Sequence, residues 1–374
     1  MIDRFDSFIA KAKYDGRFRS IPNNSQNLID LCSNDYLAID ANDLLRTEFY
    51  NQLEPDDLVM SSCASRLLSR HQKEFFELEN LLSSLYSKEI LLYNSGYHAN
   101  TGTVSAIAGN NSLIIADKLV HASIIDGLIL GKTNFKRFKH NDLSHLLKLI
   151  EDNFNKYEDI FVIVESIYSM DGDICDLKKL TEIKKQYPNV FLYVDEAHGF
   201  GVRGSRGLGL CEETGTINDI DIIVGTLGKA IASYGAFVAT NETFKNYLIN
   251  KSRSFIFSTA IPPISCKWSK FVIEKMIGMT KERQNLLKVS EILNSNLEEI
   301  NGNIRSNSQI VPLMAGSNDR AIGISNRLKE KGYLSLPIRK PTVPEGLERI
   351  RLSINAAFTE EMAYKLLSDI KQIL

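Results

Sequence analysis

The stretch that decides the fold is VFLYVDEAHGFGVRG, residues 190–204, an unbroken apolar run that ends in an acid and leads into a glycine-rich loop. Two similar runs, IFVIVE (160–165) and DIIVGT (221–226), occur before and after it. Continuous rather than alternating apolar residues are typical of strands covered on both faces, as in a parallel sheet between layers of helices. The sequence therefore predicts an α/β protein with a mostly parallel central sheet.

The remaining pattern predicts three parts of the chain. Residues 1–45 form an N-terminal arm, residues 46–260 the large α/β domain, and residues 261–374 a smaller α+β domain. A proline pair in STAIPP (258–263) marks the end of the large domain. Three segments of the last part are expected to be strands of a smaller sheet: QIVPLMAG, YLSLPI and RIRLSI.

Composition argues against several classes of protein. The 374 residues are 44% hydrophobic and 24% charged, as in ordinary globular proteins, and the net charge of -2 gives no basic footprint for nucleic acid. The five cysteines include no C-x-x-C pair, which favours reduced thiols. The N-terminus lacks the apolar core of a secretion signal, and no run approaches the ~18 apolar residues of a membrane span. We expect a cytoplasmic protein with no nucleic-acid partner, no membrane partner and no metal site.

The letters DEAH, residues 195–198, also spell a helicase box. That box needs a phosphate-binding loop of the form G-x-x-x-x-G-K-[ST]. The nearest candidate, DGLILGKT (126–133), has its two glycines one residue too close, and the residues before it are typical of a helix rather than a strand. The helicase interpretation is therefore disfavoured.

The glycines Gly199, Gly201 and Gly204 fit the dinucleotide fingerprint G-x-G-x-x-G. That fingerprint must open a helix directly after a strand, within the first βαβ unit. Here DEAH intervenes, the position is mid-chain, and a glycine-rich, non-periodic segment follows. The pattern favours a glycine loop that turns close to a site.

A third interpretation pairs the acid at the strand end with a lysine. Lys229 follows DIIVGT among glycines and small residues, with apolar flanks that a solvated surface lysine would not need. A desolvated lysine has a depressed pKa and becomes a usable amine at neutral pH. An aspartate on a pyridinium nitrogen and a lysine in a Schiff base are the pair expected for pyridoxal phosphate. A surface lysine and an Asp195 that only caps its strand are the alternatives.

In these motifs the chain resembles the α-oxoamine synthases, a family of pyridoxal-phosphate enzymes of fold type I. The resemblance runs nearly end to end, and the order and spacing of the motifs make it specific. It implies a condensation of an amino acid with an acyl thioester, with loss of carbon dioxide. The motifs are SNDYL (33–37), ASRLLS (64–69), NSGYHAN (94–100), HASIIDG (121–127), ESIYSMDGD (165–173), VDEAHGFGVRGSRGLG (194–209), GTLGKA (225–230) and FSTAIPP (257–263).

The stretch LPIRKPTVPEGLERIRLSINAAFT (336–359) is most similar to the family members that join L-alanine to a pimeloyl thioester in biotin biosynthesis. The resemblance implies pimeloyl-CoA or a pimeloyl carrier protein as acyl donor, and a homodimer with shared active sites. The nearest alternative is a family member that uses glycine or serine with another acyl-CoA. A second alternative is a protein of this fold that has lost activity, which the joint presence of Lys229, Asp195 and His121 argues against.

The resemblance also implies roles for individual residues. Lys229 would carry the cofactor and, once freed, remove the Cα proton of the amino acid. Asp195 would pair with the pyridine nitrogen, and His198 would lie against the phenolic oxygen of the ring. His121 would stack on the ring and reach the reacting carbonyl as an acid, and Ser169 would lie near the ring oxygen.

The phosphate of the cofactor needs backbone N–H groups and hydroxyls, best supplied at a helix N-terminus. By resemblance, Gly96 and Tyr97 would bind it through their amides and Thr226 through its hydroxyl. Ser258 and Thr259 match family residues that reach the phosphate from the neighbouring subunit.

A substrate carboxylate is best held by a bidentate arginine. By resemblance Arg351 would bind the amino-acid carboxylate with support from Asn34, and Arg19 would meet the acyl end or its carrier. The sequence departs from the family at Arg70 and Phe75, where a glycine and a histidine are frequent, and at His98, where a small residue is usual. These departures concern a region that would line the acyl-thioester entrance.

Overall fold

The structure is a computed structural model, and it describes residues 3–19, 21, 27–302 and 304–374. Its strands are β1 (Ile29–Asp30), β2 (Glu89–Tyr93), β3 (Ser112–Asp117), β4 (Asn134–Phe138), β5 (Asp159–Glu165), β6 (Val190–Asp195), β7 (Ile222–Thr226), β8 (Ala236–Thr240), β9 (Ile310–Met314), β10 (Tyr333–Leu334), β11 (Pro337–Ile338) and β12 (Arg349–Ser353). Its α-helices are α1 (Asp3–Tyr14), α2 (Asp43–Tyr50), α3 (Lys73–Tyr86), α4 (Gly96–Ile107), α5 (Ala122–Gly131), α6 (Leu143–Glu151), α7 (Leu177–Lys184), α8 (Leu210–Glu213), α9 (Glu242–Lys251), α10 (Arg253–Ile256), α11 (Pro263–Met276), α12 (Thr280–Asn301), α13 (Asn318–Glu330) and α14 (Glu360–Ile373).

The chain forms two compact units. The larger unit comprises Leu37–Ser169 and Ile174–Arg283, and the smaller unit comprises Met1–Tyr36, Met170–Asp173 and Gln284–Leu374. The short segment 170–173 therefore belongs to the smaller unit although the chain on both sides of it belongs to the larger one. The three-part division at residues 45 and 260 stays a prediction.

The larger unit is built on a seven-stranded sheet in the order β2-β8-β7-β6-β5-β3-β4. Five strands, from β7 to β4, are mutually parallel, and β8 pairs antiparallel with both β7 and β2. The predicted α/β fold with a mostly parallel central sheet is thus confirmed. The carboxyl ends of β3, β5, β6 and β7 meet at one edge, where open α/β sheets bind their ligands.

The apolar runs that predicted the sheet are buried on both faces. In β5 every residue from Ile160 to Glu165 is buried, and in β7 all five residues are. One face of these strands packs on α4 and α5, through residues such as Val104, Ile124 and Leu128. Burial of apolar side chains on both faces stabilises the sheet and leaves polar side chains only at the strand ends.

The smaller unit contains an antiparallel three-stranded sheet in the order β11-β12-β9, and β1 pairs parallel with β10. The three segments predicted as strands from the sequence lie in β9 to β12. In β12 the paired residues run from Arg349, opposite Met314, to Ser353, opposite Ile310. None of the helices described is both long and apolar enough to cross a lipid bilayer.

Candidate active site

Asp195 is the last residue of β6, and Lys229 lies three positions beyond the end of β7. Because β6 and β7 are parallel neighbours, both residues lie at the same edge of the sheet. Asp195 is buried, and its carboxylate accepts two hydrogen bonds, from Nδ2 of Asn100 to Oδ2 at 2.7 Å and from N of Ala197 to Oδ1 at 2.8 Å. These bonds fix the position and orientation of the carboxylate.

Lys229 contacts the loop that follows β6. Its Nζ lies 2.8 Å from Nε2 of His198, a buried histidine three residues beyond Asp195. The loop around the lysine is closed by backbone bonds from N of Ala232 to O of Lys229 and from N of Ser233 to O of Leu227. The structure therefore brings Lys229 and His198 into contact at the sheet edge where β6 ends in Asp195.

Glu165 is a site residue that the sequence reasoning missed. It ends β5 and is the register partner of Asp195 on β6. It is 2% exposed, and its Oε1 accepts the backbone N–H of His121 at 2.5 Å. Burial, with the charge of Asp195 as a second cause, raises the pKa of Glu165 well above its usual value. Its position as the last residue of an apolar run was the available signal.

His121 immediately precedes α5 and caps it. Its Nδ1 accepts a hydrogen bond from N of Ser123 at 3.2 Å and lies 2.7 Å from the Ser123 hydroxyl. Burial lowers the pKa of His121, and the charge of Lys229 acts in the same direction, while Asp195 and Asp126 oppose it. His121 is therefore a neutral imidazole at pH 7, within electrostatic reach of both Asp195 and Lys229.

Asn100 is the second residue that the sequence reasoning did not single out, although it ends the motif NSGYHAN. It is buried on α4, donates to Asp195 and to the hydroxyl of Ser123 at 3.0 Å, and accepts from the phenol of Tyr193 at 2.6 Å. Sequence spacing cannot reveal that this helical asparagine is part of the site, because its hydrogen-bond partners come from distant parts of the chain.

The candidate phosphate residues lie around the start of α4. Gly96 and Tyr97 occupy its first two positions, where the N–H groups precede any carbonyl of the helix that could accept them. A Cβ placed on Gly96 would lie 3.7 Å from Oγ1 of Thr226, so this hydroxyl borders the same helix end. Asn94, just before the helix, donates to the hydroxyl of Ser258 at 3.5 Å and to the carbonyl of Thr259 at 2.5 Å.

Two further predicted site residues of the larger unit, Ser169 and Tyr97, form hydrogen bonds with acidic side chains. Ser169 donates its backbone N–H to the carboxyl group of Glu165, which ties the end of ESIYSMDGD to the strand edge. The phenol of Tyr97 binds the carboxylate of Asp126 and is 47% exposed, so only its backbone amide belongs to the helix end.

The predicted substrate residues lie in the smaller unit. The guanidinium of Arg351 donates to Oδ1 of Asn34 at 3.0 Å, to the phenol of Tyr36 at 3.2 Å and to the hydroxyl of Ser353 at 2.7 Å. Arg351 and Asn34 are thus brought together as predicted. Arg19 instead donates to the hydroxyl of Thr342 at 2.7 Å.

Glu196, the second letter of the DEAH box, is fully buried and belongs to the scaffold. It accepts from the hydroxyl of Ser166 at 2.5 Å and from N of Cys211 at 2.6 Å, and burial raises its pKa. A Cβ on Gly199 would collide with its Oε2 at 1.9 Å, so this glycine gives room to the carboxyl group. The glycines serve close packing here, and no helix begins at them.

Comparison with known proteins decides the family. The family model described as aminotransferase class I and II matches residues 26–370. The chain belongs to the aminotransferase class I and II family. A Haemophilus influenzae protein named "Putative 8-amino-7-oxononanoate synthase" is 42% identical over 371 residues, which covers 96% of this chain and 98% of the relative.

Solved structures agree with this assignment. Serine palmitoyltransferase from S. paucimobilis, solved with a bound PLP–myriocin aldimine, is similar with a TM-score of 0.89 and 26% identity over 100% of this chain and 98% of its own. 8-Amino-7-oxononanoate synthase from Francisella tularensis is similar with a TM-score of 0.77 and 26% identity over 92% and 97% of the two chains. The fold-type-I transferase fold and, at the level of the family, pyridoxal phosphate as cofactor are confirmed.

The residues described at the sheet edge fit this cofactor. Its ring nitrogen requires a buried acid, its aldehyde an amine, and its phosphate a set of N–H and hydroxyl donors. Asp195, Lys229 and the start of α4 provide one of each within the larger unit. Among the described residues no cluster of acids, histidines or cysteines could hold a metal ion.

Proposed function

We propose that this chain is an 8-amino-7-oxononanoate synthase that uses pyridoxal 5'-phosphate. It would condense L-alanine with pimeloyl-CoA or a pimeloyl carrier protein and release carbon dioxide and the free thiol, as a step of biotin biosynthesis. Two findings support this choice within the family: the name of the 42% identical relative and the likeness of residues 336–359 to the alanine-using members.

The observation that carries the proposal is the convergence of the amine of Lys229, the acid Asp195 and two histidines at a single sheet edge. Lys229 lies 2.8 Å from His198, and Asp195 and Lys229 both lie close enough to His121 for their charges to act on its imidazole. Structural ion pairs can place an acid near a lysine as well. They do not require a neutral histidine within electrostatic reach of both groups or a loop of small residues around the amine.

When bound, the cofactor acts as the electron sink that makes the Cα–H bond of the amino acid acidic. Asp195 would hold the ring nitrogen in its protonated state through the charge of its carboxylate, which two donors fix in a buried position. Lys229 would supply the amine that holds the cofactor and would later accept the Cα proton, and His198, 2.8 Å from Nζ, would orient that amine.

His121 would donate a hydrogen bond to the acyl carbonyl oxygen, which gains negative charge as the amino-acid carbon attacks the thioester and gives that charge up as the thiolate leaves. Since burial lowers its pKa, it is neutral at pH 7 and does not compete with Lys229 for a proton. Glu165 holds the backbone of His121, so the start of α5 cannot move away from the sheet edge without breaking that bond.

The phosphate would be bound by the amides of Gly96 and Tyr97 and by the hydroxyl of Thr226. The proposal also includes a homodimer, in which Ser258 of the partner subunit and Thr259 of the partner subunit complete the phosphate site. In the smaller unit, Arg351 with Asn34 would bind the carboxylate of alanine, and Arg19 would meet the acyl end of the donor.

The test is product identification. Purified protein with pyridoxal phosphate is incubated with L-alanine and pimeloyl-CoA, and the product is measured by mass spectrometry. We expect 8-amino-7-oxononanoate with stoichiometric carbon dioxide, and none with Lys229→Ala. Turnover with glycine or serine in place of alanine, and none with alanine, would overturn the proposal.

A second candidate is a serine-using synthase with a longer acyl donor. It is favoured by the higher TM-score of the serine palmitoyltransferase, 0.89 against 0.77. The same assay with L-serine and palmitoyl-CoA discriminates the two, because the products differ in mass.

A further inference from the structure

Asp195 and His121 are joined by hydrogen bonds through two residues that the proposed function does not use, Asn100 and Ser123. Both are buried, with 2% and 0% of their surface exposed. The bonds run from Asp195 to Asn100, from Asn100 to Ser123 and from Ser123 to His121, at 2.7, 3.0 and 2.7 Å. The backbone N–H of Ser123 also donates to Nδ1 of His121 at 3.2 Å, and this fixed donor, together with the direction of the bonds at Asn100, indicates where the proton of His121 resides.

The direction is set first at Asn100. An aspartate carboxylate offers only acceptors, so Asn100 must turn its amide nitrogen toward Asp195. At its other end, Oδ1 of Asn100 accepts from the phenol of Tyr193 at 2.6 Å. Burial raises the pKa of Tyr193 well above its usual value, so the phenol keeps its proton and donates. Both ends of the amide therefore agree on one orientation.

The direction then passes to Ser123. Its hydroxyl oxygen accepts from Nδ2 of Asn100, which leaves the hydroxyl proton free to donate to Nδ1 of His121. The backbone N–H of Ser123 also points to Nδ1, at 3.2 Å. A ring nitrogen that receives two donors cannot carry a proton of its own.

We propose that Asn100 and Ser123 hold His121 as the neutral imidazole tautomer with its proton on Nε2. The use of that proton rests on the proposed function, whereas the tautomer does not. An imidazole protonated on Nε2 can donate at once to an oxygen that gains negative charge, but the other tautomer would present a lone pair there. Asn100 and Ser123 are thus positioning residues for the acid step.

The charged groups around His121 are compatible with a neutral ring. Asp195 and Glu165 approach it from β6 and β5, Lys229 from the loop after β7, and Asp126 from its own helix. Burial outweighs the opposing influence of Asp195 and Asp126 and lowers the pKa of His121. Glu165 is itself shifted toward the protonated form, so it adds little negative charge.

The test reads the tautomer directly. Holoenzyme with ¹⁵N-labelled histidine is studied by long-range ¹⁵N–¹H correlation, and the His121 signals are assigned by their loss in His121→Gln. We expect Nε2 of the wild type to show the shift of a protonated ring nitrogen and Nδ1 that of an unprotonated one. A proton on Nδ1 in the wild type would by itself overturn the inference, before any variant of Asn100 or Ser123 is made.

Variants then test the two positioning residues. Ser123→Ala leaves the backbone N–H of residue 123, at 3.2 Å, as the remaining donor to Nδ1, and Asn100→Ala removes the partner that orients the Ser123 hydroxyl. We expect both variants to raise the population of the Nδ1-protonated tautomer above that of the wild type and to lower kcat by up to about tenfold, the effect of one lost hydrogen bond, with KM for alanine unchanged. Ser123→Thr keeps the hydroxyl and should retain the wild-type tautomer. Ser105→Ala is the matched control, because Ser105 lies on α4 and donates only to O of Gly102.

The outcomes separate the positioning role of Asn100 and Ser123 from the proposed function. An unchanged tautomer in both Ser123→Ala and Asn100→Ala would overturn the positioning role. The cofactor absorbance of the same samples reports binding of pyridoxal phosphate. If the wild type showed no cofactor absorbance but had the expected tautomer, the proposed function would be refuted and the positioning role of Asn100 and Ser123 would still hold.

Discussion

Glu165 and Asp195 are register partners at the ends of two parallel strands, so two buried carboxyl groups project side by side from one face of the sheet. Two adjacent buried acids do not both ionise without a large cost. Asp195 receives donors from Asn100 and Ala197, whereas burial and the charge of Asp195 raise the pKa of Glu165. Of the two, Glu165 is therefore the acid whose raised pKa favours the protonated form.

A protonated Glu165 predicts a loss of stability with rising pH. Because its pKa is higher in the folded than in the unfolded chain, the folded state binds more protons, and stability falls as pH rises above about 4.5. Glu165→Gln removes this titration. We expect the free energy of unfolding in urea to fall in the wild type relative to Glu165→Gln between about pH 5 and pH 8. The control is Glu242→Gln, an exposed change at the start of α9, whose free energy of unfolding should change with pH as that of the wild type does. If the free energies of unfolding of the wild type and Glu165→Gln differed by the same amount at every pH, Glu165 would not be protonated in the folded state.

Asp195→Asn tests the partner of the ring nitrogen. The amide keeps the shape but cannot stabilise a protonated ring, so we expect kcat to fall by about 10²–10³, as when a preorganised charge is removed from an active site. Measured binding of pyridoxal phosphate should weaken far less, because the amine and the phosphate donors remain. A variant with wild-type kcat would show that the acid does not act on the cofactor.

Arg351→Ala tests the carboxylate site of the smaller unit. A charged hydrogen bond contributes about 1.5–3 kcal/mol, so KM for alanine should rise about tenfold to a hundredfold with a smaller change in kcat. Arg351→Lys should recover only part of the loss, since a lysine cannot form the bidentate pair. If KM for alanine stayed constant and that for the acyl donor rose, Arg351 would belong to the other substrate.

The ion pair of Arg349 with Asp171 predicts a stability effect. Arg349 is 2% exposed, and burial lowers its pKa to about 10. Removing one partner leaves a buried charge, so Arg349→Met and Asp171→Asn should each lower the free energy of unfolding by about 3–5 kcal/mol. The double variant should lose clearly less than the sum of the two. Strict additivity in urea unfolding would show that the two side chains do not interact.

Apolar patterning predicted the central sheet because a strand covered on both faces needs a continuous apolar run, which β5, β6 and β7 have between their ends. It also located Asp195 and Lys229, since polar residues at the ends of such strands meet at one edge. These inferences depend only on neighbouring residues and on the handedness and direction of parallel sheets.

Glu165, Asn100 and Ser123 could not be found in this way. Their contacts join β5 to α5, and α4 to β6 and α5, across sequence separations that no local pattern encodes. Asn100 looked like an ordinary helix residue, and Ser123 like a residue of a helix start. Only the folded chain shows that their polar atoms point at one another within a buried network.

The central claim is that Lys229 is the amine that holds pyridoxal phosphate. The direct measurement is borohydride reduction of the holoenzyme, followed by digestion and peptide mapping. We predict one pyridoxyl group per chain, on Lys229, and none in Lys229→Arg. A label on another lysine, such as Lys88, whose pKa is lowered by burial, would contradict the claim. The absence of any label from a protein that binds the cofactor would contradict it as well.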